Sequence, residues 1–164
     1  RLVRGDVSGV IFTRNPNRPE ETVLEAVHGL NAGLVDGTVP PDRWTVDRKT
    51  RTITSHTPAQ RSRIMTAAGA GIRAVPLDDE RRNHPPLTNA DVQSLVTLAM
   101  AAERTFGRAQ DVEWTKAGDA WTILQSRPVT ALAPETTSDD KRPWYRSLTR
   151  SFENLKTLRK RIEN

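Results

Sequence analysis

Glu113, Gln125 and Arg127 stand close together in the stretch A-Q-D-V-E-W-T-K-A-G-D-A-W-T-I-L-Q-S-R-P-V-T, residues 109–130. Their types suit one chemistry. A carboxylate and an amide oxygen are hard ligands for a divalent cation such as Mg²⁺. A guanidinium offsets the charge of phosphate oxygens during transfer. A metal–nucleotide site needs these groups, provided that the chain brings them to one place. A hairpin of ordinary solvated charges would show the same residues.

The stretch reads as two β-strands joined by a turn at Ala117-Gly118. Residues two apart in a strand share a face. Asp111 and Glu113 therefore share a face of the first strand. In a regular second strand Trp121, Ile123 and Gln125 share a face, with Arg127 in the same phase. The loop length decides whether the two polar sets meet. A two- or four-residue loop puts Gln125 on the face opposite Glu113. A three-residue loop brings Glu113, Gln125 and Arg127 together and leaves Val112, Trp114 and Leu124 for packing. The site requires the odd loop. It also places Trp121 beside Gln125, as the tryptophan that could serve as a ligand platform.

The elements that position the hairpin are legible upstream. Ser8–Thr13 is β-rich and ends at the turn signal Arg14-Asn15-Pro16. Thr22–Val27 reads as a second strand. Gly29, Gly33 and Gly37 mark a loop, either an ordinary turn or a backbone cradle for phosphate. Segments 43–47 and 51–56 alternate polar and apolar around a turn at 47–50. Short strands are expected at 61–66 and 72–75. The clearest helix covers 89–106, with a capping box at Thr88 and Asp91 and a stop at Gly107. Its apolar face is Val92, Leu95, Val96, Ala99, Ala102 and Phe106. His28 is read as a packing residue, and His56 and His84 as surface residues. The tryptophans are read as core anchors, Trp121 excepted.

Residues 133–143 lack periodicity and read as a linker. Residues 144–164 carry an amphipathic helix with a stripe of Trp144, Leu148, Phe152, Leu155, Leu158 and Ile162, suited to docking on another domain. The 164 residues carry a net charge of +5. Of this, +4 lies in residues 139–164 (eight Lys/Arg against four Asp/Glu), so the main body is close to neutral. The continuous apolar stripe of the basic tail argues against nucleic acid. With no cysteine, neither disulfides nor thiolate metal sites are possible. No long apolar run suggests a membrane span, so a cytoplasmic setting is expected. A start at Arg1 suggests a piece of something longer. The pattern as a whole indicates an α+β fold with a largely antiparallel sheet.

The hairpin Q-D-V-E-W … W-T-I-L-Q-S-R-P-V-T resembles the closing hairpin of the ATP-grasp domain in the phosphoenolpyruvate synthase, pyruvate phosphate dikinase and rifampin phosphotransferase family. Three further blocks agree in order: D-V-S-G-V-I-F-T-R-N-P at 6–16, V-L-E-A-V-H-G-L at 23–30 with V-D-G at 35–37, and P-P-D-R-W-T-V-D-R at 40–48. The resemblance covers residues 1–132 and implies the C-terminal subdomain of an ATP-grasp fold, the nucleotide-binding half. It implies ATP and Mg²⁺ as cofactors, with Glu113 and Gln125 on the metal–nucleotide and Arg127 on the phosphates as the catalytic cation. It also implies transfer of phosphoryl from ATP through a histidine to pyruvate or a related acceptor. Rifampin phosphorylation is the alternative within the family, and a non-catalytic binding or assembly module the alternative outside it.

Two departures stand out. The family's G-L-G-E is Gly29-Leu30-Asn31-Ala32 here. Nothing in this sequence corresponds to the N-terminal ATP-grasp half, with its catalytic lysine and glycine-rich loop, or to the phosphohistidine domain. Both are expected as partners, and the isolated chain is expected to be inactive.

Overall fold

A computed structural model describes residues 5–69 and 71–129. The expected linker and the helix of residues 144–164 lie outside the described residues. The strands are β1 (Val7–Phe12), β2 (Glu21–His28), β3 (Asp42–Asp47), β4 (Ile53–Thr57), β5 (Arg63–Ala68), β6 (Gly71–Pro76), β7 (Gln110–Ala117) and β8 (Ala120–Pro128). The helices are α1 (Ala32–Val35), α2 (Asp79–Asn83) and α3 (Asn89–Phe106). Six strands form one antiparallel sheet in the order β4-β3-β2-β1-β7-β8, and β5 and β6 form a separate hairpin. The α+β reading with a mainly antiparallel sheet is observed.

The sheet has two unlike faces. Ile11, Leu24, Trp44, Val46, Val112 and Trp114 lie on one, buried under Val92, Leu95, Val96, Ala99 and Met100 of α3. That helix starts where the sequence indicates. The Thr88 hydroxyl accepts from the Asp91 N–H, the Asp91 carboxylate accepts from the Thr88 N–H, and Gly107 closes the helix at φ 67°. One part of the expected apolar face is not used: Phe106 is 56% exposed, and Met100 is buried in its stead. Phe106 is the last residue of α3, beyond the turns that lie on the sheet. The second face carries a smaller cluster of Val10, Phe12, Val27, Leu34 and Val39, with Met65 and Val129 packed against it.

Gly9 sits at the centre of the sheet. A Cβ there would stand 2.0 Å from the Glu25 carbonyl oxygen and 2.6 Å from the Trp114 ring, so only glycine lets that indole lie flat on β1.

Asp42 is buried and fully engaged. Its carboxylate accepts from Arg61 Nε and Nη2 at 2.8 and 2.7 Å, from the Ala59 N–H at 3.2 Å, and contacts His56 Nε2 at 2.8 Å. His56 also stacks on Trp44 at 4.4 Å. It is therefore more than a surface residue: it lids a buried acid that ties β3 and β4 to the segment before β5. His28 contacts the His84 carbonyl oxygen through Nε2, and His84 Nδ1 contacts the Glu80 carbonyl oxygen. Helix α2, in a segment to which the sequence reading assigned no element, is capped by Asp78.

Candidate functional site

The register of the sheet assembles a polar row. Residues directly opposite in neighbouring strands share a face. Val10 pairs with Glu25 on one side and Glu113 on the other. Glu25 pairs onward with Arg43, and Glu113 with Gln125. One line across the sheet thus reads Arg43, Glu25, Val10, Glu113, Gln125. The adjacent line on the same face reads Thr45, Val23, Phe12, Asp111, Arg127. The face is the one opposite α3. Glu25 and Glu113 are two strand spacings apart, about 10 Å across the sheet. That leaves room for a group held between their side chains.

The expected three-residue loop is absent. Ala117 pairs with Ala120, so the loop is Gly118-Asp119 alone, with Gly118 at φ 54°. A β-bulge restores the alignment that the loop was expected to supply. Trp114 pairs with Ile123, but Glu113 pairs with Gln125, and Leu124 is the extra residue. This reverses the phase of β8 between Ile123 and Gln125. Two expectations built on a regular strand therefore fail. Trp121 does not share a face with Gln125; it meets Trp114 edge-on at 5.4 Å and packs on the core beneath α3. Leu124 does not pack with Val112 and Trp114, and is 42% exposed. Glu113, Gln125 and Arg127 nonetheless come together.

Arg127 is aimed by Asp111. Its Nε and Nη2 both donate to Asp111 Oδ2 at 2.8 Å. Asp111 Oδ1 is buried and has no hydrogen-bond partner. Burial raises the pKa of Asp111 against the pull of Arg127. Burial, and then the nearby Asp111 charge, raise that of Glu113, with Arg127 and the Asn31 amide opposing. Glu25 is pushed from 4.5 to about 8 by burial, with Arg43 opposing. Three carboxyls on one face thus lack enough positive charge to stay comfortably ionised.

Glu25 carried no role in the sequence reading. The available signal was a lone carboxylate inside the apolar run V-L-E-A-V, where a buried strand has no structural use for a charge. Asp111 was placed on the correct face but without its ion pair. The glycine loop is packed rather than open at Gly29, whose position (φ 79°) abuts Ile64 and the Met65 carbonyl oxygen.

The described residues form an α+β unit, an antiparallel sheet with α3 on one face and acids, an amide and a guanidinium on the other. The chain belongs to the family of the pyruvate phosphate dikinase AMP/ATP-binding domain, whose model matches residues 1–145. It is similar to a rifampicin phosphotransferase of Streptomyces sviceus, 36% identical over 143 residues, covering 86% of this chain and 16% of that protein. It is also similar to a probable phosphoenolpyruvate synthase of Archaeoglobus fulgidus, 35% identical over 136 residues, covering 82% of this chain and 18% of that protein. A prodigiosin-synthesizing transferase of Serratia marcescens is 27% identical over 146 residues, with 87% and 16% covered. The chain therefore spans less than a fifth of the length of these relatives. No helix among the described residues is long and apolar enough to cross a membrane.

Proposed function

We propose that the sheet face bearing Glu25, Glu113, Gln125 and Arg127 is one wall of a Mg²⁺–ATP site in a larger phosphotransferase. The observation that carries this is the direct pairing of Glu113 with Gln125 beside the Asp111–Arg127 ion pair, on the face that α3 leaves uncovered. The donor set fits Mg²⁺. Glu113 and Gln125 offer hard oxygens, and the buried Asp111 Oδ1 awaits a partner. No group of three or more His, Asp or Glu able to hold a metal exists among the described residues.

In this reading Glu113 and Gln125 hold the metal, which supplies charge neutralisation and polarises phosphoryl oxygens. Arg127, fixed by Asp111, stands against the phosphates and stabilises the charge of the transferring group. The β-phosphoryl of ATP would pass to a histidine on another domain, with AMP as the leaving group and the γ-phosphoryl released to water as phosphate, and from the histidine to pyruvate or a related acceptor. Resemblance to the Streptomyces protein favours a second reading in which the acceptor is rifampicin. The acceptor would be bound by regions outside this chain in either case.

The test is calorimetric titration with Mg²⁺–ATP. Glu113→Gln and Gln125→Ala should each weaken binding by about tenfold or more, consistent with a lost charged or metal contact. Their melting temperatures should stay near that of the parent, because both side chains are partly exposed. Unchanged affinity in both variants would overturn the assignment.

A further inference from the structure

We propose that Asn31 is a nucleotide-binding residue, its side-chain amide donating to a phosphate oxygen of the ligand that Glu113 and Gln125 hold. The inference rests on the preceding reading of this face as a Mg²⁺–ATP site and adds a residue to it.

The observation is an unsatisfied amide. Asn31 Oδ1 and Nδ2 are both buried and neither makes a hydrogen bond of good geometry, although the amide approaches the Glu113 carboxyl closely enough to act on it. Such groups are rare in native structures because each costs the free energy of its lost hydration. Asn31 precedes α1, the position where an asparagine usually caps a helix, yet its side chain makes no capping bond. It faces Glu113 instead, near enough to favour the charged form of that carboxyl.

The backbone gives Asn31 little freedom to escape. The Gly29 N–H donates to the Asp6 carbonyl oxygen at 2.7 Å, and the Leu30 N–H donates to the Met65 carbonyl oxygen at 3.0 Å. After it, the Val35 N–H donates to the Asn31 carbonyl oxygen and the Val39 N–H to that of Gly33, both at 3.0 Å. The loop is pinned before Asn31 to Asp6, just ahead of β1, and to β5, and after it is closed by bonds within the loop itself. An amide held unpaired beside a candidate metal ligand is a group prepared for a ligand rather than for the fold. Its Nδ2 is the donor that a phosphate needs. Its neutrality adds no further carboxylate to a face that already carries Asp111, Glu113 and Glu25.

The structural and ligand roles predict opposite effects for Asn31→Ala. If the amide awaits a phosphate, removing it relieves an unpaired buried group. The ligand-free protein should then melt at the same or a higher temperature, while Mg²⁺–ATP binds about three- to tenfold more weakly, the span of one lost hydrogen bond. Asn31→Asp replaces the donor with a carboxylate and should weaken binding further. Glu113→Gln, titrated alongside, separates the two ideas. If Glu113→Gln weakens binding and Asn31→Ala does not, Asn31 is no ligand and the metal site stands. If neither has any effect, the reading of the face as a nucleotide site fails. A fall in melting temperature for Asn31→Ala with unchanged affinity would mean a purely structural role and would overturn the proposal.

Discussion

Glu25 should govern how the stability of this chain responds to pH. Its carboxyl sits in an apolar strand and titrates near 8 rather than 4.5 because burial penalises its charge. The folded chain therefore keeps a proton that the unfolded chain gives up at much lower pH. The resulting advantage is complete below 4.5 and is lost as pH rises through about 8. Denaturant titrations at stepped pH should show stability falling across that window, and Glu25→Gln should flatten the fall. A parent profile with no decline would contradict the assigned environment. The Asp111–Arg127 pair makes a second prediction. Arg127→Gln strands a carboxylate that is 6% exposed, against 26% for its partner. The cost should be about 2 kcal/mol, below the range for fully buried pairs. Asp111→Asn in the same chain should recover most of it, because the stranded charge is then gone.

At the scale of the element, the bulge in β8 decides which residues face the site. Deleting Leu124 alone leaves a regular ladder in which Glu113 still opposes Gln125 and Trp121 still faces α3. That variant should fold and bind Mg²⁺–ATP within a few-fold of the parent. Deleting Ile123 and Leu124 together would pair Gln125 with Trp114 and turn it toward the core. Binding should then be lost and the melting temperature should drop. Equal behaviour of the two deletions in melting and calorimetry would contradict the register argument.

This element also marks how far the sequence could be read. The β-rich runs of β1 and β2, the alternation of β3, the capped helix at 89–106 and the short strands expected at 61–66 and 72–75 follow local rules of composition, period and cap, and were legible. The bulge was not, because one extra residue in a strand leaves no mark in composition. It appears only once Trp121 is seen to need the core and Gln125 the other face, and that demand is tertiary. The same holds for Phe106: periodicity assigns it inward, but the sheet it would pack against lies beneath the earlier turns of α3. Glu25 and Asn31 were hidden for a related reason. Each leaves a local mark, a lone carboxylate in V-L-E-A-V and an asparagine in the glycine loop, but their neighbours in space come from strands and loops distant in sequence, so local reading gives them no role.

For the whole molecule, the proposed reading gives the sheet the role of one wall of the site, with one set of charges. Phosphoryl transfer requires positioning and charge neutralisation around the nucleotide, together worth several orders of magnitude in rate. We therefore expect the 164-residue chain to bind Mg²⁺–ATP without turning it over. Release of phosphate, or ATP–AMP exchange, that disappears in Glu113→Ala would show instead that this chain is a complete enzyme.

The central claim is that the ligand occupies the face of Glu113 and Gln125 and not the face of α3. Titration of isotope-labelled protein with Mn²⁺–ATP, a paramagnetic substitute for Mg²⁺–ATP, tests this directly. The side-chain amides of Gln125 and Asn31 should broaden first, at substoichiometric metal. The indole signals of Trp44, Trp114 and Trp121, packed on the far side of the sheet, should persist. Early broadening of the Trp121 indole with a sharp Gln125 amide would place the nucleotide on the other face and contradict the account.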